Sequence, residues 1–289
     1  MKYLFYPGCS LESTAKDFMM SAQCVAQSLG IELQKMPDWT CCGSTPAHST
    51  DELLAIALPA RNLLIAQSAG LDLAVCCASC YGRLGAANIA LAQDHRLQES
   101  VAEILGQEYK GNVRVRHLLQ ILYEDVGISE IRDAVTHHLK GLKIACYYGC
   151  LLTRPRELSI SSDPEDPTIM EEILQTTGAE MIDWPYKTEC CGANFSITRP
   201  STVERLVSQI LRAAKDSGAN CLAVACPLCQ INLDLRQQDI QERFNLPVFY
   251  FTQVLGLAFG VPRKQLGIGK LMVSPDEVLA GTTTGTPPY

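Results

Sequence analysis

Fourteen cysteines lie along a chain of 289 residues, at positions 9, 24, 41, 42, 76, 77, 80, 146, 150, 190, 191, 221, 226 and 229. Ten of them form a pattern that occurs twice. Cys9 is followed by 31 residues, the tandem pair Cys41-Cys42, 34 residues and then Cys77-Ala78-Ser79-Cys80. Cys150 is followed by 39 residues, Cys190-Cys191, 34 residues and then Cys226-Pro227-Leu228-Cys229. The neighbouring words repeat as well. Tyr6-Pro7-Gly8-Cys9 aligns with Tyr147-Tyr148-Gly149-Cys150, and Thr40-Cys41-Cys42-Gly43 with Glu189-Cys190-Cys191-Gly192. Ala74-Val75-Cys76-Cys77 aligns with Ala223-Val224-Ala225-Cys226, which sets Cys76 opposite an alanine and outside the pattern. The unmatched Cys24, Cys76, Cys146 and Cys221 are expected to be small buried apolar residues.

Five thiols at this spacing exceed the four ligands of a tetrahedral zinc ion. A tandem pair also chelates one ion poorly, because successive side chains of an extended backbone diverge. A multi-iron cluster offers several metal atoms over several ångströms, so adjacent cysteines can bind different irons, and soft thiolates suit iron. Gly43 and Gly192, directly after each pair, let the backbone turn tightly there. The spacing of an ordinary cubane ferredoxin motif, CxxCxxCxxxCP, is absent. A structural zinc site and a disulfide framework are the competing readings.

The elements that must carry these cysteines also come in two copies. Each copy reads as strand, helix, strand, helix, strand, helix. In the first, Lys2–Tyr6 delivers Cys9, residues 31–36 lead to the tandem pair, and Leu73–Cys76 delivers Cys77. In the second, the strands are Leu142–Tyr147, Ala179–Asp183 and Cys221–Ala225. Ser49-Thr50-Asp51-Glu52 and Ser201-Thr202-Val203-Glu204 read as capping boxes opening helices. Strands alternating with helices predict an α/β fold with mainly parallel sheets, whose strand ends and following loops hold the cysteines. The second copy is longer just after Cys150, and the insertion maps to Arg154–Asp166. The divisions expected are 1–140, 141–263 and an irregular tail at 264–289.

With 47% hydrophobic and 19% charged residues the chain can bury a large core. Its net charge is −7, so no basic stripe exists to bind nucleic acid. The start, with only Lys2 ahead of a short apolar stretch, has no secretory signal pattern. No segment has the ~18 uninterrupted apolar residues of a membrane span. A cytoplasmic setting is expected, with any membrane contact made through partners.

The doubled C…CCG…CxxC pattern resembles the cysteine-rich CCG domain, and two such domains in one chain of this length resemble the heterodisulfide reductase B-subunit family. The resemblance runs from Tyr3 to about Phe259. It implies two tandem CCG domains, each holding a non-cubane [4Fe-4S] cluster. Carried over by position, Cys9, Cys41, Cys42, Cys77 and Cys80 would hold one cluster, and Cys150, Cys190, Cys191, Cys226 and Cys229 the other. It further implies reduction of a disulfide held between the clusters, one electron from each. The chain has no flavin or nucleotide fingerprint, so electrons would come from a ferredoxin-like C-type subunit and a flavin-containing A-type subunit. The same domain occurs in succinate and 2-hydroxyacid dehydrogenase complexes, so an electron-transfer or docking subunit is the alternative.

Three residues are candidates for facing the substrate. Arg154 and Arg156, in the inserted loop, could hold an anionic group of a thiol coenzyme bidentately. His48, six residues after Cys42, could donate a proton to a departing thiolate. Trp39 and Trp184, ahead of the tandem pairs, are expected to shield the clusters. His137-His138 are expected at the end of the connecting helix with no catalytic part.

Overall fold

The structure is a computed structural model that describes residues 1–44 and 47–282. It contains two four-stranded sheets with the same topology. The first is ordered β2-β1-β3-β4, from β1 (Lys2–Tyr6), β2 (Glu32–Lys35), β3 (Leu73–Val75) and β4 (Val115–His117). The second is ordered β6-β5-β7-β8, from β5 (Lys143–Tyr147), β6 (Glu180–Ile182), β7 (Cys221–Val224) and β8 (Val248–Tyr250). Every pairing is parallel. The central strands β3 and β7 are wholly buried, as expected where helices cover both faces of a parallel sheet.

The fourth strand of the first sheet goes beyond the three strands that the sequence pattern gives each copy. Its centre, Arg116, breaks the apolar run. The guanidinium is nevertheless drawn in beside Glu124 at 2.6 Å and Asp125 at 3.2 Å, which permits the strand. Neither capping box is formed. Ala47–Thr50 makes its own helical turn, and Asp51 caps the helix Glu52–Ala69 by accepting from the Leu54 N–H at 2.7 Å. The other helix starts one residue earlier, at Pro200, whose fixed φ suits a first helical position. His137 and His138 follow the helix Ile128–Asp133 rather than closing it.

The two copies pack through a helix of each. Lys16–Ser28 from the first meets Phe251–Ala258 from the second. Phe18 stacks on Tyr250 with ring centroids 4.1 Å apart, and the Ser21 and Thr252 hydroxyls are 2.7 Å apart. The inserted loop also crosses between copies: Leu158 lies over Gly85, so close that a Cβ there would be 2.7 Å from its Cδ2. The stretch expected to be an irregular tail folds back onto the body. Leu266 and Ile268 are buried, Gln253 donates to the Leu266 carbonyl at 3.1 Å, and Asp276–Ala280 is helical. Residues 283–289 lie outside the described residues. No helix of the described chain is long and apolar enough to cross a membrane.

Candidate functional site: two five-cysteine sets that meet

β1 ends at Tyr6 and hands the chain to Gly8-Cys9; β5 ends at Tyr147 and hands it to Gly149-Cys150. Both tyrosines turn back under the tandem cysteines. The Tyr6 hydroxyl donates to the Thr40 carbonyl at 2.7 Å, and that of Tyr147 to the Glu189 carbonyl at 2.6 Å. Thr40 and Glu189 each precede the first cysteine of a pair, so each tyrosine pins its CC loop. Buried asparagines complete the hold. Asn62 bonds both the N–H and the carbonyl of Thr40, at 2.9 and 3.1 Å, and Asn232 donates to the Cys191 carbonyl at 3.0 Å. β3 and β7 deliver Cys77 and Cys226 to the N-termini of the helices Ala78–Gln93 and Pro227–Leu235.

These supports bring the ten repeated cysteines into two sets of five. Cys42 Sγ lies 3.4 Å from Cys80 Sγ, and Cys191 Sγ 3.5 Å from Cys229 Sγ. Cys9 and Cys41 lie near Tyr6 with Cys42 and Cys80, and Cys77 and Cys80 perturb each other's protonation. In the second set Cys150 and Cys190 perturb each other's protonation, as do Cys226 and Cys229. The sets lie side by side: His117 Nε2 reaches the carbonyls of Cys76 and Ala225, the residues before Cys77 and Cys226, and Cys77 and Cys226 perturb each other's protonation across the two copies. Cys42, Cys77, Cys80, Cys191, Cys226 and Cys229 are buried, whereas Cys9, Cys41 and Cys190 are exposed and Cys150 half-buried. Each set thus opens to solvent at one end and closes on its twin at the other.

The thiols share protons. The hydrogen bond from Cys80 brings Cys42 down to about 7 against its burial. That from Cys150 brings Cys190 down to about 6. Cys226 is held well below the ordinary thiol range by Cys229 and Cys77, which are themselves pushed up. The thiolate is the form that binds metal, and a lowered pKa favours it. The cations that act on them are few: Arg83 on Cys42 and Arg154 on Cys190. One guanidinium cannot offset five packed thiolates, so the donor sets suit several metal charges each.

Two further features fit a bulky sulfur-rich group. Gly8 and Gly149 both hold φ in the left-handed region, where glycine is favoured. A Cβ on Gly8 would be 3.1 Å from Cys80 Sγ, and one on Gly149 3.0 Å from Cys229 Sγ. Bare backbone at these points leaves the sulfurs their space. Among the described residues no group of His, Cys, Asp or Glu is arranged to hold a single metal ion. Ligands of a polynuclear cluster bind different metal atoms and need not converge on one point.

A pocket of about 80 Å³ opens over the second set. It is lined by its five cysteines, by Leu151, Phe195 and Leu228, and by Ala78 from the first copy. Arg154 lies near this set, with its guanidinium bound to Glu165 at 3.0 Å. Arg156 is exposed on the inserted loop and does not line the pocket. His48 falls in the turn Ala47–Thr50, and its side chain lies outside the described residues. Trp184 is buried with its N–H on the Cys146 carbonyl at 2.9 Å, while half-buried Trp39 packs edge-on against Tyr6. Cys76, Cys146 and Cys221 are buried apart from both sets; Cys24 is only half-buried.

Tyr6, Tyr147, Asn62, Asn232, Arg83 and His117 escaped the sequence reading. The tyrosines carried a signal, since both stand three residues before the lone cysteine. His117 carried none. It is fully buried at the end of β4, and burial pushes its imidazole down to about 4.

Comparison with known proteins bears directly on this arrangement. The CCG cysteine-rich domain matches residues 3–85 and 144–234, the two stretches that hold the two sets. The 8-methylmenaquinol:fumarate reductase membrane anchor subunit of Wolinella succinogenes is 32% identical over 275 residues, 92% of this chain and 95% of that protein. The B subunit of the ferredoxin/F420H2-dependent CoB-CoM heterodisulfide reductase of Methanosarcina acetivorans is 30% identical over 289 residues, 96% of each. A heterodisulfide reductase B-subunit-like protein of Archaeoglobus profundus is 31% identical over 295 residues, 96% of this chain and 97% of that protein. In fold, the chain resembles a hypothetical protein from Helicobacter pylori, with a TM-score of 0.76 at 12% identity. That likeness covers 94% of this chain and 52% of the other. The chain therefore belongs to the heterodisulfide reductase B-subunit family, proteins built from two cysteine-rich CCG domains.

Proposed function

We propose that this chain is the disulfide-reducing component of a heterodisulfide reductase-type complex, each set of five cysteines holding a non-cubane [4Fe-4S] cluster. Cys9, Cys41, Cys42, Cys77 and Cys80 would hold one, and Cys150, Cys190, Cys191, Cys226 and Cys229 the other. The observation that carries the reading is that the two sets lie side by side: the residues before Cys77 and Cys226 share the His117 imidazole, and Ala78 of the first copy lines the pocket over the second set. Side by side, the two clusters would supply the two electrons that turn one disulfide into two thiols, one from each.

The chain's own residues do the rest. Burial of Cys77 and Cys226 keeps water from the junction, where electrostatic effects are strengthened. Leu151, Phe195 and Leu228 give the pocket apolar walls for the organic part of a substrate. Arg154 presents a guanidinium beside the second set, and Arg156 a second along the same loop, for an anionic group on that substrate. His48 is the proposed proton donor to a departing thiolate. The C-type and A-type subunits are the proposed electron source, consistent with a relative whose name makes it ferredoxin-dependent.

The Wolinella relative, described as the membrane anchor of a fumarate reductase, favours a second reading in which the chain only relays electrons or docks its complex. The test is thiol release from the CoB–CoM heterodisulfide by oxygen-free protein reduced with a viologen. Two thiols per disulfide support reduction by this chain. Full iron content with no thiol released from any disulfide offered supports the relay.

A further inference from the structure

His117 is placed to act on both sets at once. Its Nε2 lies 3.0 Å from the Cys76 carbonyl oxygen and 3.2 Å from that of Ala225. Its Nδ1 accepts from the Leu119 N–H at 3.2 Å. A neutral imidazole that accepts at Nδ1 carries its one proton on Nε2, so a single N–H is shared between the two carbonyls. Cys76 belongs to the first copy and Ala225 to the second. Each immediately precedes the first cysteine of a CxxC turn, Cys77 or Cys226, so the imidazole lies between the strand ends that deliver one cysteine of each set.

The repeat supplies no second such residue. Tyr250 stands at the matching end of β8, capping its helix with Gln253 as His117 does with Gln120. The Tyr250 hydroxyl turns instead to Gln230, at 3.4 Å. One imidazole therefore ties both strand ends, and Tyr81 packs edge-on against its ring at 6.0 Å to fix its plane.

We propose that His117 is a positioning residue that locks the two cysteine sets against each other, its shared N–H fixing the separation of the strand ends that carry Cys77 and Cys226. This rests on the two sets holding clusters, as proposed above, but not on what the clusters reduce. Its effect is on the relation between the sets. Neither set loses a ligand when the imidazole is removed.

The test is His117→Phe, which keeps an aromatic ring and removes the donor, in the full chain purified without oxygen. About eight irons per chain should remain. The spin–spin interaction between the two reduced clusters should change in EPR, and disulfide turnover should fall about tenfold with little change in KM, as for other residues that orient metal ligands. His117→Gln, which restores an N–H toward the carbonyls, should recover the wild-type spectrum. A purely structural role would lower stability and iron together and leave the spectrum of the retained clusters unaltered. His117→Phe with full iron and a wild-type spin–spin interaction overturns the proposal. So does a folded His117→Gln chain whose spectrum stays altered, and so does failure of both variants to fold, which would make the imidazole a folding element. A wild-type chain with two interacting clusters but no disulfide turnover defeats the functional reading alone, and the spectra still decide the role of His117.

Discussion

Gly149 lies where backbone and sulfur come closest, and replacing it with alanine separates two costs. Its φ of +67 lies in the left-handed region, where a Cβ costs about 1–2 kcal/mol. The new Cβ would also sit 3.0 Å from Cys229 Sγ and 3.4 Å from Tyr147 Cε1. Carbon atoms in good contact sit about 3.5–4.0 Å apart, so the sulfur must retreat by roughly half an ångström or more. Strain of that kind in a packed site adds about 1–3 kcal/mol. Gly30 supplies the control: its φ is also +67, and a Cβ there would meet nothing within 4 Å. Gly30→Ala should therefore cost only the backbone penalty and leave the iron content intact. Gly149→Ala should cost about 2–5 kcal/mol in denaturant unfolding and lower iron toward half, with the first set still loaded. Equal stability losses and equal iron in the two variants would refute the claim that bare backbone makes room for the Cys229 sulfur.

The remaining predictions test the other supports. Cys42→Ser and Cys191→Ser should each leave about four irons per chain, because each set loads separately; an unchanged iron count in either would remove that cysteine from its set. Cys76→Ala should cost about 1 kcal/mol and no iron, since Cys76 lies outside both sets. Gly85→Ala should push Leu158 off the first copy and destabilise the chain by about 1–3 kcal/mol, and Leu158→Ala in the same chain should recover part of that loss. Burial raises the Asp234 carboxyl from 3.8 to about 6, against the hydrogen bonds it accepts from Met272, Val273 and Gln230. Between those values the folded chain keeps a proton that the unfolded chain has released. The associated stability is full below about pH 4 and is lost as pH rises through about 6, a change of about 3 kcal/mol. Urea unfolding should show wild type losing its advantage over Asp234→Asn by that amount across the window, and a constant gap would contradict it.

The cysteine sets were legible because their spacing is doubled. A cysteine set written twice, with one gap identical, leaves little freedom in pairing cysteines with strands. The central strands were legible for a similar reason, being short apolar runs that end at a cysteine. β4 was hidden by the charge at its centre, which only Glu124 and Asp125, both later in the chain, make tolerable. The capping boxes failed because Asp51 and Pro200, one or two residues away, make better helix starts. His117 was invisible for a deeper reason. Its partners are backbone carbonyls 41 and 108 residues distant, and carbonyls leave no mark in side-chain identity. The inserted loop was located correctly, but Leu158 bracing Gly85 depends on how the copies face one another.

The ten repeated cysteines are proposed to hold two iron–sulfur clusters lying side by side, with Cys77 and Cys226 at their junction. Its most direct test is the iron, acid-labile sulfide and zinc content of protein purified without oxygen, read with the EPR spectrum of the reduced form. About eight irons and eight sulfides per chain are expected, with two clusters that interact magnetically. One or two zinc ions without labile sulfide would contradict it and make the sets structural metal sites.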